Sequence, residues 1–307
     1  MHFSNHPVQL EVTSLATNVP YQTLAINLAD PKHPIAPGVL PTIRLPPELD
    51  LNREVILFGQ APAWLYSHLI HRCHSATWIG CYDARSQQVV VIQSRIPERR
   101  VGDALPFALN RSPCPVILIG GPPNSGKSVL SNALRLSLIR TCPQRQFFLH
   151  RANWDGEGNW TYESNNPKLI NQLVQRNEYR MHEKEETATL IPAYFSYHAQ
   201  ATNNLRSLVD CVLVDVGGIP QPEKAPLVQQ CTHYIIISRL PEAVEAWHKL
   251  CQPHLQPLAV IHSVRDRQLE ILRTEPVLQL VAGPWQEGQT LSVPECLSQV
   301  IVQRLGL

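Results

Sequence analysis

The sequence predicts an α/β protein of two units: a small α/β sandwich over residues 1–107 and a doubly wound, mainly parallel domain over residues 108–307. In the first third of the chain, short β-type runs surround a single helical pattern. Strand and helix patterns then alternate, and G-x-x-x-x-G-K-S runs from Gly121 to Ser128 between the first strand and first helix of that part. The second unit is therefore predicted to be a P-loop NTPase or kinase-like domain.

The elements of the first unit follow from apolar runs separated by turn residues. A helix is expected over Ala61–His74, because Pro62 suits a first helical turn and the segment keeps helical periodicity. The predicted strands are Val8–Val12, Tyr21–Leu28, a short one near Thr42–Leu45, Glu54–Phe58, Thr77–Tyr82 and Gln88–Ile92. Proline-rich, aperiodic sequence from Ser94 to Pro115 predicts a linker.

The second unit is expected to hold a mainly parallel sheet with helices on both faces. Five short apolar runs are its strand candidates: Val116–Ile119, Gln146–His150, Cys211–Asp215, Tyr234–Ser238 and Leu258–His262. Val277–Val281 is a further strand candidate, and Glu295–Leu305 is predicted to be a terminal helix.

The composition limits which partners and which cellular compartment are expected. A net charge of +1 over 307 residues argues against a protein that coats duplex nucleic acid, while leaving room for a local pocket for one small polyanion. The eight cysteines include no C-x-x-C pair, so reduced thiols are expected. Neither a signal peptide nor a membrane-spanning run is recognised. We therefore expect a cytoplasmic protein with neither membrane nor duplex nucleic acid as a partner.

The chemistry of the second unit is predicted from its P-loop and the strand that ends at Asp215. Backbone N–H groups of the loop would converge on phosphates, Lys127 would neutralise the β- and γ-phosphates, and Ser128 would bind Mg²⁺. Asp215, with Gly218 three residues later, would support the metal, although the same aspartate could simply cap its strand. The residues predicted to bind ATP and Mg²⁺ are Gly121, Asn124, Ser125, Gly126, Lys127, Ser128, Asp215 and Gly218. Because no glutamate follows Asp215, the pattern resembles kinase and GTPase-like proteins more than motor ATPases.

Two polar segments between the second and third strands are candidates for an acceptor loop and a lid. Asp155 lies in a glycine-rich stretch and could serve as a general base toward a phosphoryl acceptor. Arg176 and Arg180 lie in a charge-dense run that could bring arginines onto phosphates. An exposed turn explains the first segment equally well, and a solvated helix is the commoner cause of a charged run like the second.

The first unit carries a histidine cluster followed by an acid and an arginine. His68, His71 and His74 recur at steps of three residues on the predicted helix, and Asp83 and Arg85 end the next strand. Histidine moves protons or binds metal, aspartate orients it, and arginine holds phosphate, which together suit phosphodiester cleavage. Surface histidines without a catalytic role give the same pattern.

Four segments in this region resemble the third family of CRISPR ring nucleases. They are Gly59–Tyr66, Leu69–His74, Ile79–Arg85 and Val89–Ser94. The similarity covers roughly residues 1–105, and the P-loop unit that follows matches a fused form of the family in cyanobacteria. The resemblance implies a dimerising α/β sandwich that degrades the second messenger cyclic tetra-adenylate. It also implies that two dimers sandwich one ring, so that a tetramer or higher oligomer completes the active site.

The same resemblance assigns roles to individual residues. His74, Asp83 and Arg85 match the family's cleavage residues, and His71 matches a histidine associated with metal, which makes it a candidate Mn²⁺ ligand. The sequence departs from the family at Ala84, where proline is common, and at Arg95, where relatives can have histidine. The AAA label often given to the fused unit fits poorly, because the paired acid of such motors is missing.

The sequence thus predicts a ring nuclease fused to an ATP-binding, kinase-like unit that regulates it or modifies its products. Two alternatives stay open at this point. One is a nucleotide-dependent sensor or assembly protein that binds the ring without cutting it. The other is a P-loop kinase that acts on a small molecule or an oligonucleotide.

Overall fold

The computed structural model describes residues 6–13, 20–28, 35–153, 168, 172, 189–285 and 293–307. The chain divides into two compact units, Met1–Arg111 and Ser112–Leu307. The predicted acceptor and lid residues Asp155, Arg176 and Arg180 lie outside the described residues.

The first unit is built on a six-stranded mixed sheet in the order β1-β2-β3-β4-β5-β6. Its strands are β1 (Val8–Thr13), β2 (Thr23–Leu28), β3 (Val55–Phe58), β4 (Trp78–Asp83), β5 (Gln88–Ser94) and β6 (Ala104–Pro106). The three central strands β2, β3 and β4 are parallel, and the outer pairings are antiparallel. One helix, α1 (Ala63–Arg72), joins β3 to β4.

Alternation along β3 shows how this sheet is covered. Val55 and Leu57 face a core shared with Leu65 and Leu69 of α1, whereas Ile56 faces a second cluster on the opposite side of the sheet. That second cluster is rich in aromatic residues, namely Trp78 and Phe107 with Tyr21 and Tyr82 packed against them. The predicted α/β architecture is confirmed, with the helix on one face of the sheet.

Three sequence predictions for this unit were wrong. No strand forms near Thr42–Leu45: a 3₁₀ helix over Pro37–Thr42 ends at Thr42, and residues 43–45 have no regular structure. The middle of the predicted linker forms β6, which pairs with β5 because Phe107, only 2% exposed, anchors it to the aromatic cluster. Helix α1 ends at Arg72, before His74, in a tight turn closed by the Ala76 N–H on the Cys73 carbonyl (2.9 Å).

The second unit contains a seven-stranded sheet in the order β12-β13-β11-β10-β7-β9-β8. Its strands are β7 (Val116–Gly120), β8 (Phe147–Ala152), β9 (Cys211–Val216), β10 (His233–Ser238), β11 (Gln256–Ser263), β12 (Gln268–Arg273) and β13 (Leu278–Gly283). The helices are α2 (Lys127–Thr141), α3 (Leu190–Leu205), α4 (Ala225–Val228), α5 (Pro241–Cys251) and α6 (Glu295–Leu305), and a 3₁₀ helix spans Pro222–Lys224. All pairings are parallel except that of β12 with β13. The predicted doubly wound, mainly parallel sheet is confirmed.

Strand β12 has no counterpart among the sequence predictions. Every residue from Gln268 to Arg273 is exposed, so the strand has no buried face that would produce an apolar alternation. It forms through its antiparallel pairing with β13 at the edge of the sheet. Within the described part of the chain, no helix is both long and apolar enough to span a membrane.

Candidate functional site

The P-loop of the second unit joins β7 to α2. Every residue of β7 is buried, and α2 begins at Lys127, directly after Gly126. Asn124 (φ 58°) and Gly126 (φ 89°) both adopt left-handed backbone conformations, which curl the loop back on itself. Successive N–H groups in such a curl form a concave anion site, and the positive end of the α2 dipole faces the same point.

Packing explains why position 126 requires glycine. A Cβ atom there would overlap the side chain of Trp285, and the backbone conformation itself disfavours other residues. Gly121 at the start of the loop is buried, as are Ser125 (6% exposed) and Lys127 (8% exposed). The loop is therefore held tightly against the sheet.

Side chains within the loop fit the phosphates of a nucleotide. Among the residues that the structure describes, no hydrogen-bond partner reaches the buried Ser125 hydroxyl, and buried polar atoms normally have one. The first turn of α2 is fixed by two bonds, Ser131 Oγ to the Lys127 carbonyl (2.7 Å) and Asn132 Nδ2 to the Ser128 carbonyl (2.9 Å). A rigid turn carrying Lys127 and Ser128 beside a curled loop fits a polyphosphate.

Strand β9 brings the predicted carboxylate to this loop. Asp215 is 2% exposed and pairs in register with Ile119 of β7, immediately before the P-loop. A Cβ atom on Gly218 would lie 2.6 Å from the backbone nitrogen of Pro123, so the segment after Asp215 lies directly against the P-loop. The predicted nucleotide residues thus lie together at the carboxyl ends of β7 and β9.

A buried lysine that the sequence analysis missed lies beside this segment. Lys224, 2% exposed, places its Nζ atom 4.9 Å from the centre of the Phe195 ring. The same Nζ lies 3.9 Å from the position that a Cβ atom on Gly217 would take. Its only sequence signal is its place nine residues after Asp215, in a short polar stretch that looks like a surface loop.

The histidines of the first unit lie at the end of α1. His71 is in its last turn, His74 follows the helix, and their exposed rings stack with centroids 5.9 Å apart. His74 Nδ1 donates a hydrogen bond to the His71 carbonyl oxygen at 2.8 Å. Because a carbonyl oxygen only accepts, Nδ1 carries the proton and Nε2 keeps its lone pair in the neutral ring. Gln93 and Arg95 bond the neighbouring carbonyls of His74 and Ser75, both at 2.8 Å.

His68 differs from the other two histidines of the predicted cluster. It is half-buried, and its Nε2 atom is buried with no hydrogen-bond partner among the described residues. Burial lowers the pKa of His68, as do the nearby charges of Arg72 and His71. Burial therefore favours the neutral form of His68, and the exposed pair is His71 and His74.

Asp83 ends β4, and Arg85 lies in the turn that leads to β5. Asp83 accepts two hydrogen bonds, one at Oδ1 from the Arg85 backbone N–H (3.1 Å) and one at Oδ2 from the Ser86 hydroxyl (2.7 Å). Both Asp83 and Arg85 are exposed, and Gln87 completes the turn with φ 51°. In a single chain Asp83 therefore orders its own turn.

Within one chain, the structure separates His74 from Asp83 and Arg85. Because β3 and β4 are parallel, α1 must run back along the sheet, so His74 lies at the start of β4 and Asp83 at its end. With a rise of about 3.3 Å per residue, the ends of this strand are about 17 Å apart. Within the described ranges, no cluster of three or more His, Cys, Asp or Glu side chains is arranged to hold a metal ion.

The buried strand, curled loop and following helix, with a carboxylate on the neighbouring strand, define a P-loop NTPase-like domain in the second unit. A family model matches part of the first unit. Residues 28–106 match the model of a family described as "CRISPR-associated protein (Cas_csx3)". An uncharacterised protein of Aquifex aeolicus (strain VF5) is 41% identical over 54 residues, which is 18% of this chain and 49% of that protein. The chain thus spans about half the length of this curated relative.

Several solved structures are also similar to the chain. The septum site-determining protein MinD of Pyrococcus horikoshii OT3, complexed with Mg-ADP, is 13% identical with a TM-score of 0.36, covering 49% of this chain and 70% of that one. A putative plasmid partition protein of Borrelia burgdorferi B31 bound to AMPPNP is 9% identical with a TM-score of 0.41, covering 63% and 100%. A ParA family ATPase of Chlorobium tepidum TLS is 13% identical with a TM-score of 0.41, covering 64% and 99%.

Proposed function

We propose that the first unit degrades cyclic tetra-adenylate to linear oligoadenylate and that the second unit binds ATP with Mg²⁺ to regulate it or to modify the products. The observation that carries the nuclease proposal is the match of residues 28–106 to a CRISPR-associated family. That segment contains His71, His74, Asp83 and Arg85, which are the proposed cleavage and metal residues.

His74 has the properties of a general base. Its Nδ1 proton is committed to the His71 carbonyl, so the lone pair of Nε2 can accept the proton of an attacking oxygen. Its ring is exposed, as substrate access requires. Arg85, also exposed, suits the phosphate, because a guanidinium presents a fork of donors to two phosphate oxygens.

The separation of these residues supports assembly as part of the mechanism. One chain places His74 and Arg85 at opposite ends of β4, too far apart to act on one phosphodiester. A ring bound between two copies would meet the His74 end of one and the Arg85 end of the other. We therefore propose that dimers pair across the ring into a tetramer and that the cleavage site forms between them.

Manganese has a candidate position at the histidine end. His71 offers an exposed imidazole whose ring centroid lies 5.9 Å from that of His74, and imidazole is a usual ligand for transition metals. Remaining ligands would come from the substrate, from water or from the second copy. Bound Mn²⁺ would supply Lewis-acid stabilisation of the phosphate charge.

The P-loop residues suit ATP and Mg²⁺. Lys127 is positioned for the β- and γ-phosphates, and the Ser128 hydroxyl with the Asp215 carboxylate would support the metal ion. Bound Mg²⁺ would neutralise charge on the phosphate chain. Because Val216 follows Asp215, the strand lacks a second acid to orient water. The pocket therefore suits nucleotide sensing or phosphoryl transfer better than motor-type hydrolysis.

A sensor that binds the ring without cutting it is the second candidate. It is favoured by the Asp83 carboxylate, both of whose oxygens already accept bonds that order the β4–β5 turn. An aspartate so engaged can hold Arg85 toward a bound phosphate without taking part in proton transfer.

Labelled cyclic tetra-adenylate distinguishes these functions. The full chain is incubated with the ring, with and without Mn²⁺ and ATP, and product end groups are resolved beside His74→Ala and the matched control His254→Ala, an exposed histidine of the second unit. Linear products that are lost only with His74→Ala support the nuclease. Ring binding without any product supports the sensor, and no binding by the wild-type chain contradicts both.

A further inference from the structure

Lys224 is an unusual residue on burial alone. It and Lys127 of the P-loop are both buried lysines, exposed by 2% and 8%. Lysine is rarely buried because its ammonium loses hydration, so such a residue normally faces an anion, a carboxylate or an aromatic ring. The Phe195 ring, with its centre 4.9 Å from Nζ, provides a cation–π contact for the ammonium.

The ammonium points to the ligand-binding edge of the sheet. Its Nζ lies 3.9 Å, and the Asn153 side-chain oxygen 3.4 Å, from the position of a Cβ atom on Gly217. Asn153 directly follows β8, and Gly217 directly follows β9, so the three groups meet at the carboxyl ends of neighbouring strands. In open α/β sheets, ligands bind at this edge.

The adjacent residue connects this position to the P-loop. Gly218 packs against Pro123, with 2.6 Å between the position of its Cβ atom and the Pro123 nitrogen. Gly217 therefore lies beside Lys224, and its neighbour Gly218 lies beside the P-loop.

We propose that Lys224 binds the γ-phosphate of the nucleotide and thereby distinguishes a nucleoside triphosphate from a diphosphate. The proposal rests on ATP binding by the P-loop, as proposed above. Through Phe195 the same lysine touches α3, the helix that contributes Phe195 to the buried core of this unit. Loss of the γ-phosphate would thus remove an anion from a lysine that is packed against α3.

The test compares two probes, Mg²⁺–AMPPNP and Mg²⁺–ADP, by titration calorimetry on the full chain. Lys224→Met should weaken AMPPNP binding by about 10- to 100-fold, the range for a lost charge-assisted hydrogen bond, with ADP affinity within about two-fold of wild type. Lys224→Arg should recover part of the loss. Lys249→Met, an exposed lysine of α5, is the matched control and should change neither affinity.

A second variant tests the same space without touching the lysine. A methyl group at position 217 would make only ordinary contacts with Asn153 and Lys224, so Gly217→Ala should fold and yet crowd an incoming phosphate. It should weaken AMPPNP more than ADP. Equal losses for both probes, or no loss in either variant, would overturn the role of Lys224. A wild-type chain that binds neither probe would overturn ATP binding itself and this proposal with it. If Lys224→Met fails to fold, Lys224→Arg and Gly217→Ala decide the outcome.

Discussion

His74 donates its Nδ1 proton to the carbonyl oxygen of His71, 2.8 Å away in the last turn of α1. This bond sets the tautomer of the exposed imidazole and leaves Nε2 as its basic atom. It also ties the position of His74 to the end of the helix, so that a residue outside regular structure is held in place. Helix α1 therefore positions the group on which the proposed chemistry depends.

Replacing His74 by alanine should lower ring cleavage by about 100-fold or more, the usual scale for a lost acid–base group. Asp83→Ala should lower cleavage by a similar factor. Ser86→Ala tests whether Asp83 acts only by ordering the turn, because this variant removes only the 2.7 Å bond to Asp83 Oδ2 and keeps the carboxylate. Single-turnover rates with labelled ring measure the effect. Rates within a few-fold of wild type for His74→Ala would show that this imidazole is not the base.

Arg85→Ala should weaken ring binding or slow its cleavage, and Arg85→Lys should restore only part of the loss. A lysine ammonium keeps the charge but lacks the planar fork that holds two phosphate oxygens. Ring affinity and single-turnover rate should be measured for both variants, beside Arg267→Lys, an exposed arginine of the second unit, as the control. Full activity of the lysine variant would mean that Arg85 contributes only diffuse charge.

Mixing two inactive variants should restore cleavage if the site forms between copies. In a mixed assembly of His74→Ala and Arg85→Ala chains, some interfaces combine an intact His74 end with an intact Arg85 end, which lie at opposite ends of β4 within one chain. An equimolar mixture should recover a measurable fraction of the wild-type rate, whereas each variant alone stays inactive. The control is a mixture of the double variant His74→Ala/Arg85→Ala with either single variant. If the mixture of the two single variants recovers no more activity than this control, the site lies within one chain.

ATP should raise the cleavage rate if nucleotide controls assembly, and cyclic tetra-adenylate should then tighten ATP binding by the same factor, since such coupling is reciprocal. The covalent path is short, because residues 107–115 join β6 to β7. Lys127→Ala should abolish the ATP effect and leave basal cleavage largely intact. Cleavage with and without ATP, and ATP affinity with and without the ring, measure both sides. If neither the cleavage rate nor the ATP affinity changes in the wild-type chain, the two units are tethered without coupling.

Acidification should destabilise the second unit through His248. Its Nδ1 lies 2.7 Å from the hydroxyl of the buried Tyr234, and burial lowers the pKa of His248. The unfolded chain keeps the ordinary pKa of about 6.5, so it binds more protons than the folded chain as pH falls past that value. The contribution of His248 to the free energy of unfolding should be fully present above that pH and should fall as the pH drops below it.

Urea unfolding at pH 7.5 and 5.5 checks this expectation. His248→Gln keeps an acceptor for the Tyr234 hydroxyl but cannot titrate, so its stability should fall less between the two pH values. Some pH dependence will remain, because burial also lowers the pKa of His233. An unchanged pH dependence in the variant would show that His248 does not carry the effect.

Local sequence patterns were sufficient for most of the fold. The buried runs that became β7, β9 and β10 and the periodic segment that became α6 were predictable, because burial of a whole strand or of one helix face leaves a periodic apolar signal. The glycine-rich loop and Lys127 were recognisable because anion binding by backbone N–H groups needs that short spacing.

Only the tertiary structure decided which residues meet. The sequence places His74, Asp83 and Arg85 within a dozen positions, yet the fold puts His74 at the start of β4 and Asp83 and Arg85 at its end. The tertiary structure likewise buries Lys224 beside Gly217 and Phe195, although its polar sequence context predicts an exposed charge. Periodicity reports whether a segment has a buried face, whereas the proximity of two strand ends depends on strand order and crossover direction, which no local pattern encodes.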